Sequence, residues 1–318
     1  LEFRRVLFRS GCGSCGPRAF YGTTIEHLKM EEKLMEFFGT NEALTYSYGN
    51  NTLTSVIPVY GKLGCVVLVD EFCNYEIQLG CRLSKAKIVK FNHNDIADLK
   101  QKVEEVKANL VFPNRIVIVT EGVFRHDYSI APLKEISELR AKNVILIVDD
   151  SLGFGVLGAN LKGSVEHAGI EVSDVDILCG SMEFVGATVG GYVVGKHSVI
   201  DTQRLFGAGY IFSASAPPFT CTAGKLSLEE FEKKGVDMGV ENRERRLRFK
   251  QLMNERVKNV KVVGDDTLPF VLLNAEGKND ELLNTIRNNG FFAVQQQHLD
   301  EDWCQTKYIR EIGRASCR

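Results

Sequence analysis

The sequence predicts an α/β fold built on a mainly parallel sheet of seven strands, and two observations carry that prediction. Short β-branched apolar runs alternate along the chain with longer amphipathic stretches, as parallel strands require, because each must be joined to the next by a crossover helix. The runs are also continuous in hydrophobicity rather than alternating, the pattern of strands covered on both faces.

Taken in order, Thr23-x-x-Glu26 sets a capping box before the apolar-periodic Ile25, Leu28, Leu34, Phe37 and Phe38, a helix that stops at Gly39. Strands are expected at residues 44–47, 65–69, 87–91, 115–120 and 144–148, with helices between them, notably 95–108 and 132–141. Two further strands, 175–179 and 191–195, flank a glycine-rich turn. The charged, helix-favouring stretch 225–256 then leaves a large domain spanning residues 11–225. Within 226–310 it leads into a smaller α+β domain, with strands at 260–263, 269–273 and 291–294 and a helix at 280–288.

The two ends do not read as gene product. Residues 1–10 (LEFRRVLFRS) and 311–318 (EIGRASCR) resemble translations of a short sequencing adapter and are set aside from fold reasoning, with the gene product expected to continue beyond both. Without them the 39 Lys and Arg and 41 Asp and Glu of the 318 residues become 34 and 39, and the net charge moves from −2 to −5. Nucleic-acid binding, which needs a clustered cationic surface, is therefore not expected. With 44% hydrophobic and 25% charged residues the chain has a globular composition. No window reaches the roughly 18 apolar residues of a membrane helix. The nine cysteines are too sparse for a disulfide scaffold, and Cys65 and Cys179 lie in apolar runs, so reduced, buried thiols of an intracellular protein are expected.

Several features could carry chemistry. Cys12-Gly-Ser-Cys15 is a C-x-x-C pair open to a redox or zinc reading, but no second pair completes a metal site and Gly-Pro-Arg and a turn follow it where a redox motif needs a helix, so tight packing in a glycine-rich turn is the simpler expectation. Asp149, at the end of an apolar run, would lie where α/β folds bind ligands, and could hold a metal, a ribose or a protonated ring nitrogen, or simply cap its turn. His93 and His167 have no partner at helical spacing, which points to solvated or capping roles and not to metal ligation. No G-x-S-x-G elbow supports a serine hydrolase.

A set of blocks between Gly13 and Pro218 resembles, in order and separation, the α-oxoamine synthases, pyridoxal-phosphate enzymes of aminotransferase-like fold type I. The blocks are Gly13-Ser-Cys-Gly-Pro-Arg-Ala-Phe-Tyr-Gly22 with His27 and Glu31, Tyr46-Ser-Tyr-Gly49, Phe91-Asn-His-Asn-Asp95, and Glu121-Gly-Val-Phe with Ala131-Pro-Leu133. They continue through Phe154-Gly-Val-Leu-Gly158, Val165-Glu-His167, Gly190-Gly-Tyr192 and Ile211-Phe-Ser-Ala-Ser-Ala-Pro-Pro218. Such enzymes hold the cofactor through a lysine Schiff base, with a carboxylate on the pyridine nitrogen and a histidine stacked on the ring.

The resemblance sets Phe184 at the lysine position, within a stretch from Ser181 to Gly190 that contains no lysine; Lys196 lies elsewhere in the pattern. It sets Asn74 at the stacking histidine, Leu152 at a second histidine, and Asp149 at the ring-nitrogen carboxylate, which is thus vestigial. One branch shows these losses together: heterodimers in which a lysine-free subunit 1 pairs with a catalytic subunit 2 to condense L-serine with palmitoyl-CoA. Lys162-Gly163-Ser164 departs from the family's usual Arg-Gly there.

The implied arrangement has pyridoxal 5'-phosphate held covalently by the partner, Ser213 and Ser215 approaching its phosphate, and Cys15, Arg18 and Tyr21 at the interface near that shared site. Cys15 could equally be a packing residue of its turn. The resemblance also implies small regulatory subunits and an endoplasmic-reticulum membrane location with the catalytic domain facing the cytosol. Catalysis by this chain alone, and a metal, are not expected. The alternatives are an active synthase, which needs a lysine near residue 184, and a thiol-redox or zinc protein using Cys12 and Cys15.

Overall fold

The structure is a computed structural model that describes residues 2–109, 111, 114–184, 186–295 and 309–314. Seven strands form the large sheet: β1 (Glu42–Tyr46), β2 (Val66–Asp70), β3 (Lys87–Phe91), β4 (Ile116–Glu121), β5 (Val144–Asp149), β6 (Ile177–Ser181) and β7 (Gly191–Gly195). Their spatial order is β1-β7-β6-β5-β4-β2-β3. From β3 through β6 neighbours are parallel, and β7 runs against both of its neighbours. Every residue of β4 and β5 is buried, which explains why their sequences are apolar without alternation.

The helices bury the sheet through aromatic and aliphatic stripes. The helix Ile25–Phe38 ends at Gly39, whose left-handed φ of 68° lets its N–H reach the Met35 carbonyl at 2.8 Å. Phe38 from that helix stacks on Tyr192 of β7 at 5.3 Å, and Phe37 meets Phe154 edge-on at 5.4 Å. Its start is one residue later than the capping signature implied. Thr24, not Thr23, is the N-cap, and His27 Nδ1 accepts the Thr24 N–H at 3.1 Å. Thr23 is engaged instead with Arg18, accepting from Nε at 3.0 Å and donating to its carbonyl at 2.8 Å.

Elsewhere tertiary packing decides the boundaries. The helix expected over 132–141 is confined to Leu133–Ser137, and Arg140 is drawn to the Ser173 carbonyl at 2.9 Å and to Asp176 at 3.2 Å. The long helix Pro218–Arg256 begins seven residues before the expected 225, with Pro218 in the first turn where its missing N–H costs nothing.

Four strands, β8 (Lys261–Val263), β9 (Leu272–Asn274), β10 (Phe291–Gln295) and β11 (Ile309–Arg314), form an antiparallel sheet ordered β10-β11-β9-β8. This second unit packs on the first through Leu268 and Leu272, which are buried with Val123, Tyr128, Leu152 and Leu157. Arg246 ties it further, donating to the Phe270 and Gly264 carbonyls at 3.2 and 2.9 Å and pairing with Asp266. Parts of the ends read as adapter lie in elements, the helix Glu2–Ser10 and strand β11. Among the described residues no helix is long and apolar enough to cross a membrane.

Candidate functional site

Because β2, β4, β5 and β6 are parallel, their C-terminal residues Asp70, Glu121, Asp149 and Ser181 reach one edge of the sheet, where ligands bind in folds of this class. The β4–β5 register sets Glu121 beside Asp149. Asn74 follows β2 and caps the helix Tyr75–Leu83, its Oδ1 accepting the Ile77 N–H at 3.0 Å. From there it reaches both carboxylates: its N–H donates to Glu121 Oε1 at 2.8 Å and its Nδ2 to Asp149 Oδ2 at 2.7 Å.

The other oxygen of Asp149 accepts from Ser151 N at 3.1 Å and Ser151 Oγ at 2.5 Å. The second oxygen of Glu121 accepts the Arg125 N–H at 3.1 Å, and the Arg125 guanidinium reaches Glu76 at 3.1 Å. Asp149 and Glu121 are both 2% exposed. Burial, and then the Asp149 charge, push the Glu121 carboxyl up to about 8. Burial also raises the Asp149 carboxyl, against hydrogen bonds from Ser151 and Asn74 that favour its charged form.

The neighbouring Asp150 is turned the other way. It is fully buried and holds the Ser164 N–H at 2.9 Å and the Ser164 hydroxyl, fixing the loop between β5 and the helix Ser164–His167. Burial pushes it up to about 7. Gly163 is required here, since its φ is 105° and a Cβ would stand 1.9 Å from Asp150 Oδ2.

Of the other positions singled out in the sequence, Phe184 lies in the turn after β6 with nearly half its surface in solvent. Leu152 is 4% exposed and faces the apolar contact with the second unit, where a histidine would lose its polar partners. Ser215 donates its N–H to the Gly16 carbonyl at 2.9 Å and its hydroxyl meets Ser14 Oγ at 2.6 Å. The half-buried Ser213 accepts from Asn51 Nδ2 at 3.4 Å. Pro17 bridges Ala214, so the 11–21 segment and the 211–216 block form one surface.

On that surface Cys12, Cys15, Phe20 (65%), Tyr21 (89%) and Phe212 (79%) are exposed. The tight packing expected of Cys12 and Cys15 is therefore not found, and Cys15 has a left-handed φ of 53°. Cys65 and Cys179 are buried free thiols. Arg18 points inward instead: 6% exposed, it makes a two-pronged ion pair with Glu31 at 2.8 and 3.1 Å and donates to Thr45 Oγ1.

His93 corrects the expectation of a solvated or capping residue. Its Nδ1 lies 2.9 Å from Asp70, its Nε2 2.9 Å from Ser129 and 3.4 Å from Asp127, and Phe72 stacks on it at 4.3 Å. Burial disfavours the imidazolium, but Asp127 and Asp70 outweigh it and hold the pKa near 9. The Asn74–Asp149 contact and this cluster join residues far apart in the chain; a signal for the first lay in Asn74 itself, a preferred N-cap residue.

Pyridoxal phosphate does not fit this chain's own sheet edge. Asp149 has both oxygens engaged by its own chain, Asn74 offers no ring to stack, and position 184 offers no amine.

The chain resembles Sphingomonas wittichii serine palmitoyltransferase with a TM-score of 0.87 and 25% identity, covering 98% of this chain and 76% of that one. It is 36% identical over 315 residues to long chain base biosynthesis protein 1 of Arabidopsis thaliana, covering 94% of this chain and 65% of that protein. It is 40% identical over 233 residues to serine palmitoyltransferase 1 of Dictyostelium discoideum, covering 71% and 48%. The chain thus spans about half to two thirds of the length of the curated relatives it matches. The profile of the family described as aminotransferase class I and II matches residues 4–304, nearly the whole sequence, and the chain belongs to that family.

Proposed function

We propose that the chain is the lysine-free subunit of a heterodimeric serine palmitoyltransferase. In this reading a catalytic subunit 2 holds pyridoxal phosphate, and the pair condenses L-serine with palmitoyl-CoA to give 3-ketosphinganine, CO2 and CoA. One observation carries it: the stretch from Ser181 to Gly190 has no lysine, in a chain 34–40% identical to proteins named serine palmitoyltransferase 1. A side chain without an amine cannot form the Schiff base, and that bond is what the cofactor needs from the protein.

This chain's own residues then act on the partner's site. The half-buried Ser213, whose hydroxyl oxygen accepts from Asn51 Nδ2, lies two residues before Ser215, which is fixed through Gly16 and Ser14. Hydroxyls and turn amides of this kind suit the phosphate of the partner's cofactor. Arg18 anchors the exposed segment carrying Cys15 and Tyr21, so these side chains are presented outward rather than packed into their own turn. Cys15→Trp is expected to lower the rate, or alter the amino-acid choice, of the heterodimer while leaving the partner's lysine untouched; normal rate and choice would remove Cys15 from this role. Small regulatory subunits and an endoplasmic-reticulum location facing the cytosol accompany the reading, on the family resemblance alone.

Co-purification with a subunit 2 homologue, followed by a serine and palmitoyl-CoA condensation assay with this chain present or omitted, tests the proposal. Activity is expected to depend on the chain, and activity unchanged by its omission contradicts it.

A further inference from the structure

We propose that Asn74 closes this chain's own cofactor cleft: its amide takes the place of a ligand on Asp149, so that a lysine at position 184 would not by itself create a cofactor site. The inference rests on the cofactor positions assigned to residues 74, 149 and 184, and it holds whether or not the chain pairs with a catalytic subunit.

Asn74 is fixed at every polar atom. Its Oδ1 caps the helix Tyr75–Leu83 through the Ile77 N–H, its N–H is held by Glu121, and its Nδ2 is directed at Asp149. Releasing Asp149 would therefore open a helix cap and strip a buried carboxylate of a donor at once. The preceding turn is held as firmly. Asp70 accepts the Phe72 N–H at 2.8 Å, the Asn94 N–H at 3.0 Å and His93 Nδ1 at 2.9 Å, and the Phe72 ring is stacked on His93. Ser151 completes the closure from the other side, with its hydroxyl on Asp149 and accepting the Ser181 N–H at 2.9 Å. A ring nitrogen approaching Asp149 would meet one oxygen already holding two donors from Ser151 and the other already held by Asn74 Nδ2, and a ring lying on residue 74 would find no aromatic face there.

The test compares Phe184→Lys with Phe184→Lys combined with Asn74→His. Each is incubated with pyridoxal phosphate and reduced with borohydride. A lysine amine condenses with the cofactor aldehyde with loss of one water, and borohydride delivers hydride to the C=N carbon while nitrogen takes a proton, leaving a stable secondary amine. The mass of the peptide carrying residue 184 then reads this chain alone, independently of any partner. The single variant is expected to be labelled no more than the exposed Lys196, and the double variant at least tenfold more. Equal labelling of the two at position 184 overturns the closure by Asn74, and so does a double variant labelled no more than Lys196.

Should Asn74→His prevent folding, thermal unfolding supplies the same decision. Asn74→Ala is expected to lower the Tm clearly in the native background and by no more than half as much when Asp149 is already Ala. Equal losses in both backgrounds would show that the Asn74–Asp149 bond does not hold the cleft.

Discussion

At the C-terminal edge of the sheet Asn74, Glu121, Asp149 and Ser151 answer one another's hydrogen bonds and are almost removed from solvent, whereas along residues 11–21 and 211–216 large aromatic rings stand exposed. In an active enzyme of this fold the first region would be open to a ligand. Here it is satisfied from within, and the second is left with apolar surface of the kind that marks an interaction site. The difference teaches that the buried carboxylates at this edge are satisfied by their own chain, through Asn74 and Ser151, while the aromatic rings of the other region are left exposed. Under the proposed function, this chain's contribution to a shared site comes from the exposed surface.

The sharpest way to break that comparison is at Arg18, which anchors the exposed segment to the core through Glu31 and Thr45. Arg18→Met would leave Glu31 buried at 6% exposure without its cation, and is expected to cost about 3–5 kcal/mol in denaturant unfolding. A loss below 1 kcal/mol would show that the segment is not held by this pair.

A smaller effect follows from two histidines with opposite environments. His27 is fully buried, with Nε2 2.9 Å from the Ala216 carbonyl, and burial with the Arg18 charge lowers its pKa to about 4. The unfolded chain binds a proton there first, so stability is lost as pH falls from about 6.5 toward 4. His93 is raised to about 9, so its contribution is present below about 6.5 and is lost as pH rises through 9. Glu121, raised from 4.5 to about 8, acts in the same alkaline direction: its contribution is present below about 4.5 and is lost as pH rises toward 8. Stability should therefore peak between these limbs. His93→Gln is expected to remove roughly 2 kcal/mol near pH 7 and to flatten, but not abolish, the alkaline limb. An unchanged limb would mean that His93 is not charged in the folded chain.

The exposed face gives the smallest change in the chain itself and the clearest change in association. Phe212→Ser combined with Tyr21→Ser is expected to leave the Tm of this chain within a degree or so, because both rings already face solvent, while weakening binding to the catalytic subunit about tenfold or more. Unchanged affinity would move the interface elsewhere.

Much of the fold was legible in the sequence because its strands are buried on both faces. The runs at 87–91 and 191–195 coincide with β3 and β7, and the other five strands of the large sheet lie within two residues of their expected limits. The helix Gly49–Tyr60 was not legible. It opens Gly-Asn-Asn and contains Pro58, local signals for a turn, and it exists because Leu53, Val56 and Ile57 are buried against the sheet. Within the site, the missing lysine and the exchanged histidine could be read from the pattern of blocks. The closure of Asp149 could not, because it depends on a contact between residues 74 and 149 that only the β2-β4-β5 order creates. His93 was misread for the same reason: its partners Asp70 and Asp127 come from other strands and loops, not from helical spacing.

The central claim, that this chain contributes a surface and not a cofactor site, is tested most directly by the stoichiometry of pyridoxal phosphate in the purified complex with a catalytic subunit. One cofactor for each pair of chains, attached to the partner, is the predicted result. Two cofactors per pair, with one recovered on this chain, would contradict it.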